Sequence, residues 1–262
     1  MLNAAALSLA SSAVWSRNIG ETSCKWRRPY SPDGRTFIVW TVIYTTTLAS
    51  CAAQLTGQVP VLGWWTNFFW ALAFALCAVW TPLFDGESPE ALRAAASVLL
   101  AGAAAAVMGV AEERAWMNKE LRLELTLLTA PLGLLAGWLC VAAALGWGIS
   151  NAALDPLVGP LEECRVPPRR KDESQAQYRA RRRVLYRQAY ARMPAEVSIV
   201  PLGIAAAVAW LAALVPDPLL VVPTAWAVVN LKAFPSCMYL AALLVLSAGV
   251  ALSLLRAFVW DM

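Results

Sequence analysis

Of the 262 residues, 60% are hydrophobic and the mean hydropathy is +0.57, so a water-soluble fold would lack the polar surface to cover its exterior. The formal net charge of +4 arises from two basic stretches outside the apolar runs, which bears on membrane topology and headgroup contact and not on nucleic acid. Six scattered cysteines without CxxC spacing and the absence of histidine leave zinc and imidazole-ligated haem without a ligand set. The expectation is an all-α integral membrane protein, a polytopic bundle of transmembrane helices. Thirteen tryptophans point to ring binding or to an interfacial role, because a buried indole N–H wants a partner or the headgroup region.

Residues 2–15 form an apolar run of about 21 Å as a helix, short of the ~30 Å hydrocarbon core, so they read as a partial or shortened first helix. Residues 16–30 are polar and basic, and with Arg35 they mark one side of the membrane as positive. Residues 31–44, Ser-Pro-Asp-Gly-Arg-Thr-Phe-Ile-Val-Trp-Thr-Val-Ile-Tyr, carry a polar turn directly into an apolar helix. Pro32 donates no backbone hydrogen bond and Gly34 tolerates a positive φ, which suits a turn at a membrane boundary. Phe37, Trp40 and Tyr44, spaced by three and four residues, share one helical face and could line a flat pocket. An interfacial belt of aromatics would give the same spacing.

The first firm span is expected over 36–56 and the second over 61–84, as antiparallel neighbours. Asn67 lies inside the second, where an unpaired amide is costly, so it should bond across helices or to a ligand. Ser88-Pro89-Glu90 has the order of an N-cap, a first-position proline and an acid in the first turn, opening an Ala-rich third span over 91–111. The connection from Glu112 to Arg122 carries both signs of charge and reads as solvated. A fourth span over 123–147 contains Pro131, which implies a kink, and Gly137 beside Trp138, a tight packing site next to a large ring.

Residues 149–196 then leave the membrane as a basic loop. Within it Tyr178, Leu185, Ala189 and Met193 keep a helical spacing between arginines, describing an amphipathic helix on lipid or on a partner, with a solvated face as the plain alternative. Arg179, Arg181, Arg182, Arg183 and Arg187 are the candidate contact residues. Apolar runs at 197–215, 219–231 and 236–259 complete the chain. Four crossings between the basic stretches place both on one side, and the Asp217 turn and the C-terminus on the other. Three regions follow: a membrane core over 1–150, the extramembrane loop over 151–196, and C-terminal transmembrane helices over 197–262.

The motifs resemble the tryptophan-rich sensory protein family, also called TspO, translocator protein or peripheral benzodiazepine receptor, in its longer divergent form with about three extra C-terminal helices. Pro32, Phe37, Val39-Trp40 and Ile43-Tyr44 fall at the positions of the family's turn, aromatic, Val/Ile-Trp and Tyr at the start of its second helix. Asn67 and Trp70 look like its Asn-x-x-Trp, while Pro131, Gly137-Trp138 and Ala142 resemble the pattern of its fifth helix. Asn18-Ile-Gly20-Glu21-Thr-Ser23 is similar to an element before the turn in longer members. Short members have a second Pro and a Trp where this chain has Asp33 and Arg35, and an Asn where it has Gly146.

The resemblance implies a pocket for a flat apolar ligand, a tetrapyrrole such as a porphyrin or chlorophyll-like ring, or a sterol. Phe37, Trp40, Tyr44, Asn67, Trp70, Trp138 and Ala142 are its implied binding residues, and transport or sensing its implied role. The competing expectation is an accessory subunit of a photosynthetic or respiratory membrane complex. No nucleophile–base pair or metal set is visible, so catalysis is not expected. Membrane lipids, the flat ligand, and either a second copy or the subunits of a complex are the expected partners, in a mitochondrial or plastid membrane.

Overall fold

The computed structural model describes residues 34–58, 61–85, 88–116, 123–154, 172–178, 180–181, 184, 207, 217–230, 244–252 and 255. Among these residues the chain is helical, with no strand. A 3-10 turn, Gly34–Phe37, leads into α1 (Ile38–Leu55). α2 (Trp64–Asp85), α3 (Pro89–Trp116) and α4 (Leu123–Leu154) follow. A second 3-10 turn, Pro218–Leu220, opens the short helix α5 (Val221–Val229). Residues 244–252 are also helical.

Four stretches are long and apolar enough to cross a membrane: Ile38–Leu55, Trp64–Phe84, Pro89–Glu113 and Thr129–Asn151. They match the four expected spans, because in hydrocarbon each backbone N–H and C=O must be satisfied within its own helix. The sidedness of α1 shows how such a helix sits. Ile38, Val42, Leu48 and Leu55 are exposed, while Val39, Trp40, Ile43, Thr47 and Ser50 are buried. Apolar side chains thus cover both faces, one for lipid and one for the bundle, and the Thr47 and Ser50 hydroxyls turn inward while Thr41 and Thr45 stay exposed.

Local chemistry sets the helix ends. At α3 the Ser88 hydroxyl accepts from the Ala91 N–H at 3.1 Å, and the helix begins at Pro89 with Glu90 in its first turn, as the sequence order predicts. At the end of α1 the predicted role of glycine moves. Gly34 lies inside a 3-10 turn, and among the described residues the glycine with a left-handed backbone is Gly57, at φ 71°. Gly57 N–H donates to the Gln54 carbonyl and Gln58 N–H to the Ala53 carbonyl, the paired bonds of a Schellman stop, which needs a residue without Cβ strain there. The Gln54 side chain then accepts from Leu62 N–H at 3.3 Å, tying the end of α1 to the approach of α2.

Three expectations need correction. α3 does not end near residue 111 but runs to Trp116, so the start of the expected connection is helix, with Glu112 exposed and Glu113 buried. α4 continues through Pro131 and on to Leu154, with Ser150 buried and its hydroxyl donating to the Trp147 carbonyl at 3.0 Å, so the chain is still packed helix beyond 149. The backbones of α1 and α2 are not close neighbours. α2 packs on α3, α3 on α4, and the main partner of α1 is α4. Large rings on α1 and α2 hold the two axes apart, and they touch through Tyr44 and Phe74, whose centroids are 6.1 Å apart.

The α2–α3–α4 seams are built from small residues. Gly102 lets the Leu139 and Leu76 side chains and the Ala73 carbonyl close in, and Gly109 does the same for Leu132 and Phe69. Ala95, Ala96, Ala103 and Ala106 are buried beside them. Small residues let helix backbones approach closely, which in a bilayer replaces the hydrophobic driving force available in water.

Candidate ligand site

A cavity of about 80 Å³ opens where all four long helices converge. Its wall consists of Phe37 from the first 3-10 turn, Trp40 from α1, Trp80 and Phe84 from α2, Leu99 from α3, and Trp138, Ala142, Leu145, Gly146 and Ile149 from α4. Helical spacing explains each contribution. Residues 138, 142, 145 and 149 form one stripe of α4, and residues 80 and 84 lie one turn apart on α2. The ring planes are set against one another. Trp138 meets Phe37 and Trp40 edge to face, both at 6.1 Å, while Trp40 stacks on Tyr44 at 5.3 Å and Trp80 tilts against Phe84 at 5.2 Å. Edge-to-face pairs fix ring orientation and contribute about 0.5 to 1.5 kcal/mol each beyond burial.

Of the residues expected in a binding site, Phe37, Trp40, Trp138 and Ala142 stand together in this wall. Tyr44 is stacked behind Trp40, and Trp70 is fully buried beyond Phe74, at 6.5 Å from it, so they support the wall at one and three removes. Asn67 lies at the start of α2, outside this wall. Its side-chain amide donates to the Leu62 and Gly63 carbonyls at 2.7 and 3.1 Å, tying the chain just before α2 to its first turn. A short amide reaches carbonyls four or five residues back, so these two bonds close within α2's own start.

Trp80, Phe84, Leu99, Leu145, Gly146 and Ile149 were not expected in the wall. The signal was present as an aromatic pair one turn apart and as the continuation of the Trp138–Ala142 stripe, but it stands out only once α2 and α4 are known to face one cavity. Gly146 is notable because a Cβ there would already touch the Ala96 Cβ at 3.4 Å, so the wall is smooth where the resembling short members carry an amide.

Among the described residues the wall bears no charged side chain, and its side-chain donors are indole N–H groups. The Trp138 and Trp70 indole nitrogens and the Tyr44 hydroxyl are buried with no hydrogen-bond partner among the described residues. Burial without a partner costs roughly 1 to 3 kcal/mol per group, so the interior is disposed to accept a hydrogen-bond acceptor.

On the basic segment, the Arg181 guanidinium donates to both oxygens of Glu173, at 2.8 and 2.6 Å, and lies 5.6 Å from the Tyr178 ring centroid. The Glu173 carboxylate raises the pKa of Arg181 above its ordinary value. This arginine is matched within its own segment. Arg179, Arg182, Arg183 and Arg187 lie outside the described residues, as do the run at 2–15, the element at 18–23 and the Pro32-Asp33 turn.

The profile of one protein family, described as TSPO-like protein, matches residues 2–149. Searches among curated proteins and among solved structures found no match. The matched stretch includes all four long helices and ends within the last turns of α4, leaving the segment that forms α5 beyond it. By this match over more than half of its length, and by a four-helix membrane core with aromatic walls, the chain belongs to the TSPO-like family.

Proposed function

We propose that the protein binds a flat, largely apolar ligand of tetrapyrrole or sterol type between α1, α2 and α4, for transport or sensing. The observation that supports this reading is the convergence of Phe37, Trp40, Trp80 and Trp138 on one uncharged cavity inside a membrane bundle. Ring faces supply the burial a planar molecule needs, and a few N–H donors orient it through an acceptor atom. Carboxylate substituents find no cation among the described wall residues. The cavity of about 80 Å³ is well below the ~300 to 1,000 Å³ of typical ligand sites, so a macrocycle or sterol enters only if the rings move apart.

Quenching of tryptophan fluorescence by protoporphyrin, with protein in nanodiscs, tests the reading. Saturable quenching that weakens in a folded Trp40→Ala, Trp138→Ala double variant supports it. Unchanged quenching in that variant sinks this site.

A further inference from the structure

Beyond the residues matched by the family profile, the turn and helix over Asp217–Val229 are built into the core. They touch it at two places. The first is a pair of glycines on α4, four residues apart and so on one face. Gly133 lies against Asp217 and Leu219, and Gly137 lies so close to the Leu220 carbonyl that a Cβ there would collide with main-chain oxygen. The second is the start of α1, where the Trp226 indole N–H donates to the Thr36 carbonyl at 3.3 Å. Leu220, Val221 and Ala227 are buried in the same apolar core as the pocket rings, while Trp226 remains 40% exposed.

Each attachment point is one residue from a pocket ring. Thr36 precedes Phe37 and Gly137 precedes Trp138, and these two rings meet edge to face at 6.1 Å. A segment bonded to the α1 start and seated on α4 therefore spans the joint that must widen when the rings part. From this we infer that Asp217–Val229 is a strap that holds the aromatic pocket closed, with Trp226 and Gly137 as its positioning residues. This rests on the ligand reading above. The strap's hold is a cost charged to any large planar ligand, because apparent affinity falls in proportion to the population of the open site.

The sign of that effect separates a strap from ordinary scaffold. Loosening a scaffold weakens binding, and loosening a strap strengthens the binding of a ligand that needs room. Trp226→Phe removes the N–H donor while keeping a ring, and Gly137→Leu displaces the Leu220 carbonyl. The full chain in nanodiscs carries nitroxide labels at Thr41 and Leu100, both exposed and each next to a wall residue. Their separation, measured by double electron–electron resonance without ligand, should broaden toward longer values in both variants. Protoporphyrin should bind Trp226→Phe about fivefold tighter, the equivalent of one ordinary hydrogen bond of ~1 kcal/mol. If Gly137→Leu does not fold, Trp226→Phe decides alone. An unchanged label separation overturns the strap, and so does weaker or equal protoporphyrin binding in a variant whose separation has changed. If even the unaltered chain fails to quench with protoporphyrin, the ligand reading fails, and the ligand-free separation still decides whether the segment holds α1 against the closely packed α3–α4 pair.

Discussion

The two sides of this bundle are assembled by opposite means. Along α2–α3–α4, alanines and glycines let main chains approach until Gly102 and Gly109 are in contact with neighbouring side chains. Between α1 and α2, Trp40, Tyr44, Phe74 and Trp70 meet ring to ring in series, and the backbones stay apart. The first arrangement gains dispersion contacts over a continuous seam. The second leaves gaps between rigid discs, and the cavity forms there. Small residues make the scaffold and large ones make the space.

That contrast is broken most severely by placing bulk in the seam. Gly102→Leu should cost about 3 kcal/mol, at the upper end of ordinary overpacking, read as a lower unfolding temperature in detergent. Gly102→Ala should cost far less, since a Cβ there meets its neighbours at 3.6 Å or more. On the ring side the effect should fall on binding as well as on folding. Trp40→Ala should weaken protoporphyrin affinity by about tenfold, in line with ~1 to 3 kcal/mol for a buried ring contact, and because Trp40 is buried in the core it should also lower the melting temperature. Ser88→Ala, which removes the N-cap of α3, should cost about 1 kcal/mol and serve as a reference for a purely local loss. The smallest effect is expected from Tyr44→Phe. The Tyr44 hydroxyl is buried without a partner among the described residues, so its loss should leave stability within ~0.5 kcal/mol or raise it. A drop of several times that size would mean a ligand or water bonds it.

Much of this was legible in the order of residues. Ser88-Pro89-Glu90 marked the start of α3 because its chemistry is local, and the four spans were legible because hydropathy needs no partner. The pairing of α1 with α4 was not, since a short loop between α1 and α2 suggests neighbours while ring size decides how near their axes come. The local bonds of Asn67 were not legible for a related reason: the sequence shows an amide among apolar residues but not that the Leu62 and Gly63 carbonyls are within its reach. Trp80 and Phe84 went unranked in the wall because aromatic pairs one turn apart occur wherever a membrane helix meets another.

The distribution of exposed tryptophans has a mechanical consequence. Trp64 and Trp65 stand exposed at the start of α2. At the opposite end, where α3 begins and α4 finishes, the Arg93 guanidinium bonds Asn151 at 3.4 Å and lies 5.9 Å from the Trp147 ring centroid. Indoles and arginines prefer the headgroup zone, so the bundle is moored at both faces of the bilayer. A body moored twice cannot slide when the lipid thins or thickens; it leans. Because α1 is fastened mainly to α4 and not to α2, the ring-lined gap is the least closely packed joint in the bundle, the place where a tilt would be felt first.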